Sequence, residues 1–201
     1  MKKVFLDSNV IANWILIKDL SEKIDEFKNE RVLRRRFESI SFSHTLIEAL
    51  LFSDKYKVET SNLAIAEVYH VIDNEIISLR LYRNGIPLTL WSKMREKQKL
   101  TEEDKYLIRE TITRYIGELE ENADIINDKI DREVYPKLVL EYGLRTHDAV
   151  LLTTAILDRC SWFITNDREI VSLCKKKRKT RFSEMFKIVL DLPQNFLRVV
   201  K

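Results

Sequence analysis

The sequence predicts an α/β fold built on a mainly parallel sheet, and three observations carry that expectation. Short apolar runs, VFL at 4–6, WFIT at 162–165 and FKIVL at 186–190, lie far apart in the chain. Segments of helical period separate them, and strands joined through helices are the signature of parallel pairing. With 201 residues, 45% of them hydrophobic, the chain is large enough for one domain with a sizeable core.

In chain order, a strand at 3–6 stops at Asp7 and a helix starts near Asn9, followed by charged helical segments to about Phe52. A short extended piece at 56–59 leads to Ser61, a suitable N-cap for the long helical run NLAIAEVYHVIDNEIISLRLY. Gly85 and Pro87 break that period. Residues 90–142 read as two or more polar helices separated near Leu100, where Thr101 with Asp104 can form a cap. This stretch is expected to be a helical insertion, at about 85–142, in a single domain covering 1–201. After Gly143, RTHDAVLLTTAILDRC reads as a helix capped by Thr146; the strand at 162–165 then runs into Asn166, Asp167 and a short helix ending near Leu173. A last strand at 186–190 and an extended tail at 196–200 complete the expectation.

Composition excludes several classes. No stretch of about 18 apolar residues and no signal-peptide pattern is present, so the expectation is a soluble, cytoplasmic protein without a membrane partner. Cys160 and Cys174 are the only cysteines, and with His44, His70 and His147 they form no zinc-ligand spacing; free thiols are favoured over a disulfide in a reducing compartment. The 35 basic and 32 acidic residues leave a net charge of +3, which announces no nucleic-acid binder by itself. The basic residues are nevertheless clustered, at Arg34 to Arg36 and in the run Lys175, Lys176, Lys177, Arg178 and Lys179. Such a run is either a solvated surface or a phosphate contact.

Four acidic residues stand where a core or its rim is expected. Asp7 and Asp167 each follow a short apolar strand, and in an open parallel sheet the carboxyl ends of strands face the ligand crevice. Glu67 lies mid-helix among Leu63, Ala64, His70 and Val71, where an ionised side chain is costly unless paired or metal-bound. Asp148 leads the apolar line through Leu151, Leu152, Ala155 and Ile156. Each has a structural reading as well: Asp7 as a helix cap, Glu67 as a border residue reaching outward, and Asp148 as a carboxylate favoured by a helix dipole. Convergence would make each pair about 4 Å apart repel by roughly 4 kcal/mol at an effective dielectric near 20. Protonation or a cation relieves that repulsion, and Mg²⁺ and Mn²⁺ favour such all-oxygen ligand sets, which are the apparatus of metal-dependent phosphodiester hydrolysis.

The segments VFLDSNVIA, LAIAEV, THDAVLLTTAI and WFITNDREI together resemble the PIN-domain ribonucleases. The resemblance implies a Rossmann-like α/β/α sandwich with an acidic site of Asp7, Glu67, Asp148 and Asp167 that binds Mg²⁺ or Mn²⁺ and cuts RNA to 5′-phosphate and 3′-hydroxyl ends. In that site Asp7 and Asp148 would hold the ion, Asp167 would bind it directly or through water, and Glu67 would bind a second ion or orient the attacking water. Ser8, Asn9, Thr165 and Asn166 would support the carboxylates, although each is equally explained as turn chemistry. The PIN proteins include the VapC-like toxins, which pair with an antitoxin protein and form homodimers, but they are shorter than this chain by the segments at about 20–55 and 85–142. A haloacid-dehalogenase-type phosphatase is disfavoured because Asn9 stands where its second aspartate belongs, and no G-x-S-x-G, P-loop or G-x-G-x-x-G sequence is present. The rival expectation is a catalytically silent PIN-like module that binds RNA or protein.

Overall fold

The computed structural model describes residues 1–20, 31–173 and 179–200. It is an α/β fold with a five-stranded, all-parallel sheet flanked by helices. The elements in order are β1 (Lys2–Leu6), α1 (Ser8–Leu20), α2 (Arg31–Leu51), β2 (Tyr56–Ser61), α3 (Asn62–Arg83), α4 (Trp91–Arg95), α5 (Glu102–Glu120), β3 (Ala123–Ile126), α6 (Val134–Leu140), α7 (Thr146–Leu157), β4 (Trp162–Ile164), α8 (Arg168–Leu173), α9 (Lys179–Phe186), β5 (Val189–Asp191) and α10 (Pro193–Val200).

The strand order is β3-β2-β1-β4-β5, which puts the first strand in the middle. The chain lays β2 and β3 outward on one side of β1, then returns to place β4 and β5 on the other. The order therefore reverses between β1 and β4, and the helices leaving the two strands part there, opening a crevice beyond the strands' carboxyl ends.

Alternation along β1 divides the core into two layers. Val4 and Leu6 pack on one face with Trp14, Leu46, Ile164 and Phe196. Phe5 points to the other face, stacking on Phe163 at 5.4 Å between ring centroids, among Leu151, Leu152 and Phe182. Helix starts follow local chemistry. Ser61 caps α3 by accepting from the Ala64 N–H, and Thr101 and Asp104 form a reciprocal capping box at α5. Gly85 ends the α3 region at φ +67°, a left-handed conformation that costs glycine little. Among the described residues no helix is long and apolar enough to cross a membrane.

Three expectations need correction. The stretch at 85–142 is not purely helical: Ala123–Ile126 forms β3, the edge strand, in register with β2 from Val58↔Ala123 to Ser61↔Ile126. Four residues are too few to show a period of two between polar helices. The last strand is β5, three residues later than its expected start, because Phe186 closes α9. The tail is the helix α10, with Pro193 at its first position and Asp191 Oδ1 accepting from Leu192 N–H and Asn195 Nδ2. Its Phe196 packs against Tyr56 and Trp162 at 5.7 and 5.1 Å between ring centroids.

A charged cluster absent from the sequence reading lies under α7. Glu59, only 1% exposed, points from β2 toward Lys3 Nζ at 2.8 Å and Lys57 Nζ at 3.6 Å. Lys3 also binds Asp158 at the C-terminus of α7, which takes Lys129 as well at 2.5 Å. Burial alone would lower the Lys3 pKa, but its hydrogen bonds to Asp158 and Glu59 outweigh that and hold it above its ordinary value. Cys160 donates to Glu59 Oε2, and burial together with the neighbouring negative charge pushes its thiol far up, so it is an inert, free cysteine. Cys174 lies outside the described residues. Lys3→Met strands Glu59 with its more distant lysine, so it is expected to lower stability by about 3 kcal/mol. An unchanged urea midpoint for that variant would show the pair to be dispensable.

Candidate active site

Asp7 is the first residue beyond β1, at the crevice between β1 and β4. Its backbone ties both strands to the next helix: its N–H donates to Ile164 C=O, and its carbonyl accepts from Val10 and Ile11 N–H. The backbone is therefore that of a cap, as the structural reading expects. The buried side chain does something further. Oδ1 accepts from Ser8 N–H at 2.8 Å, with Ser8 Oγ at 3.3 Å, and Oδ2 accepts from Asn9 Nδ2 at 2.7 Å and from Thr165 Oγ1 at 2.6 Å.

Thr165, Asn166 and Asp167 follow β4 on the facing side. Thr165 Oγ1 accepts from Asp167 N–H at 2.9 Å and from Asn9 Nδ2 at 3.1 Å while donating to Asp7. Asn166 N–H donates to Asn9 Oδ1 at 2.8 Å, and its side-chain amide donates to the buried Ser43 at 3.0 Å. All four expected supporting residues are thus in one hydrogen-bonded network about the Asp7 carboxylate. Asp167 caps α8, its Oδ1 accepting from Glu169 N–H at 2.7 Å, and its other oxygen has no hydrogen bond among the described residues.

Asp148 is the third residue of α7, half-buried and facing Asp167 across an open depression of about 360 Å³ flanked by Arg145 and Arg168. The cap of α7 differs from the expectation: Thr146 is the first helical residue, and Arg145 holds the N-cap position without a side-chain bond. Glu67 projects from α3 with its side chain 21% exposed, and Oε1 meets His147 Nδ1 at 2.8 Å. Arg80, further along the same helix, binds Asp104 rather than Glu67. His147 escaped notice because the pairing spans 80 residues and leaves no local spacing.

The electrostatics join the four acids. Burial raises the Asp7 carboxyl first, the Thr165 bond opposes it, and the charges of Asp148 and Glu67 push it further, to about 7. Asp148 is raised by burial, then by Asp167 and Glu67, with Arg145 and His147 opposing. Each acid is therefore felt by at least one other. They are not drawn into a tight knot: among the described residues no three His, Cys, Asp or Glu side chains are grouped closely enough to hold a metal ion. Of the basic run, Lys175, Lys176, Lys177 and Arg178 lie outside the described residues, and Lys179 opens α9.

Fold and site together define an α/β protein with mutually repelling carboxylates at the switch point of a parallel sheet. No family profile matches the chain. It belongs to the same family as a protein of Archaeoglobus fulgidus described as an uncharacterized protein, 34% identical over 107 residues, which cover 52% of this chain and 89% of that relative.

The raised Asp7 carboxyl has a consequence for stability. With a folded pKa of about 7 against an unfolded value near 3.9, the folded state binds more protons between those limits. The cost of Asp7 is therefore full above pH 7 and disappears toward pH 4. Asp7→Asn is expected to stabilise the metal-free protein by about 2 kcal/mol at pH 8, with the gain shrinking as pH falls. Melting curves at pH 8 and pH 5 decide it, and a variant that is less stable at both values makes the carboxylate a structural cap.

Proposed function

We propose that the protein is a metal-dependent endoribonuclease, hydrolysing RNA phosphodiester bonds with Mg²⁺ or Mn²⁺. The observation that carries this reading is the Asp7 carboxylate: buried at the switch point, held by three side chains and raised by burial and then by Asp148 and Glu67, with no basic side chain among the described residues bonded to it. A carboxylate kept only for structure has no reason to face two others.

The donor set fits a hard divalent ion in chemistry, being all carboxylate oxygen, with the second oxygen of Asp167 still without a hydrogen bond. Asp7, Asp148 and Asp167 would hold it, and Glu67 would bind a second ion or orient water. The spacing is looser than a ready-made metal cage. When bound, the ion supplies Lewis acidity, lowering the pKa of water and neutralising charge on the phosphate. The chain's residues supply the rest. Thr165 and Asn9 fix the orientation of Asp7, His147 restrains Glu67, and Arg145 and Arg168 flank the depression where phosphate oxygens of a strand would lie. The basic run after α8 would extend that contact. A toxin role, with a protein antitoxin as partner and a homodimer as assembly, is a narrower form of this reading that the PIN resemblance suggests and the extra segments at about 20–55 and 85–142 count against.

The loose spacing of the acids favours a second reading, a silent module that binds RNA without cutting it. Metal dependence separates the two. End-labelled mixed RNA is expected to be cut by the purified protein with Mn²⁺, not with EDTA, and not by Asp7→Asn. Thr165→Val, which frees Asp7 without removing it, is expected to cut about 10- to 100-fold more slowly. Salt-sensitive RNA binding with no cleavage under any divalent ion would transfer the protein to the second reading.

A further inference from the structure

A second hollow opens on the other side of Arg168 from the acidic depression, with a volume of about 440 Å³, within the range of small-ligand sites. Its walls come from several parts of the fold: Asn13 on α1, Ile40 and Phe42 on α2, Asn166 and Leu192 just beyond β4 and β5, and Gln194 on α10. Asn13 supplies a polar group to this wall. It sits between the buried Ala12 and Trp14, is only 9% exposed, and its amide has no hydrogen-bond partner among the described residues. The amide is not among the fully buried, unpaired polar groups, so what exposure it has leaves it within reach of a molecule in the hollow. Gln194, half-buried on the opposite wall, also lacks a partner among the described residues.

We infer that this hollow is a seat for one base of a single-stranded RNA, positioned beside the scissile phosphate. The inference rests on the ribonuclease reading and deepens it. Carboxamides offer a donor and an acceptor side by side, the arrangement that reads a base edge. Phe42, 42% exposed, provides an aromatic face, and single-stranded RNA is recognised by such stacking together with edge contacts. Arg168 belongs to both hollows, so a phosphate held by it lies between the base seat and the acids. Asn166 links them chemically: it lines the seat while its N–H holds Asn9, which holds Asp7. Correct seating of the base thereby bears on the orientation of the Asp7 carboxylate.

The test uses the full chain, Mn²⁺ and end-labelled single-stranded RNAs of mixed sequence, with Gln194→Ala and Phe42→Ala as the primary variants because both residues are partly exposed. The wild type is expected to prefer one base at a fixed distance from the cut. Each variant is expected to weaken that preference at least fivefold and to raise KM more than it lowers kcat. Cleavage by the wild type without base preference, or variants with unchanged preference and KM, overturns the seat and leaves the nuclease standing. If the wild type cuts no RNA, the nuclease reading fails by itself, and the seat is judged by titrating AMP, GMP, CMP and UMP while the side-chain amide resonances of Asn13 and Gln194 are followed. A saturable shift with one of the four supports it; no shift with any of them overturns it.

Discussion

The hydroxyl of Thr165 is the contact on which the site depends. One oxygen at the end of β4 donates to the Asp7 carboxylate and accepts from Asn9 and from the Asp167 backbone. It bridges the gap where the strand order reverses, beside the backbone bond from Asp7 N–H to Ile164 C=O and the bond from Asn166 N–H to Asn9 Oδ1. Of these contacts it alone touches both the Asp7 carboxylate and the Asp167 backbone. The bond also favours the ionised form of Asp7, opposing the burial that disfavours the carboxylate's charge.

Among the described residues two carboxylates are buried, with opposite electrostatic surroundings. Glu59 faces Lys3 and Lys57, so its burial is compensated within the fold. Asp7 faces hydroxyls, an amide and, at longer range, two further acids. Both follow from the same sheet, since Phe5 pairs with Glu59 and precedes Asp7 by two residues on the same face of β1. Near the amino ends of the strands lysines meet the buried Glu59, whereas none of the side chains bonded to Asp7 at the carboxyl ends is basic. That polarity distinguishes a group held for stability from one held for chemistry.

Much of this was legible in the chain. β1 and β4 are apolar runs bounded by helix signals, β2 was readable as a short extended piece before the Ser61 cap, and Asp7 and Asp167 could be placed on one rim because each follows an apolar run. Ser61 and the Thr101–Asp104 box were readable because capping is local. The missed features are those set by distant partners. β3 is four residues long and is a strand only because β2 offers it an edge; α10 is a helix because Phe196 finds Tyr56 and Trp162. The pairs Glu67–His147 and Lys3–Glu59 join elements separated by long crossovers, and Asn13 looks like an ordinary helix residue until its surroundings are seen. Convergence of the acids was expected from residue type, whereas their actual spacing depends on side-chain partners that no motif specifies.

The strand order also imposes a schedule on synthesis. Asp7 is synthesised before the threonine that orients it, which follows 158 residues later. At about 5 to 20 residues per second, the interval is on the order of ten to thirty seconds. Throughout it β1 can pair with β2 and then β3, but its other edge stays open until β4 is made. A chain stopped before β4 therefore carries three of the five strands and an Asp7 without the threonine that orients it. Assembly of the acidic rim waits for β4 by topology alone.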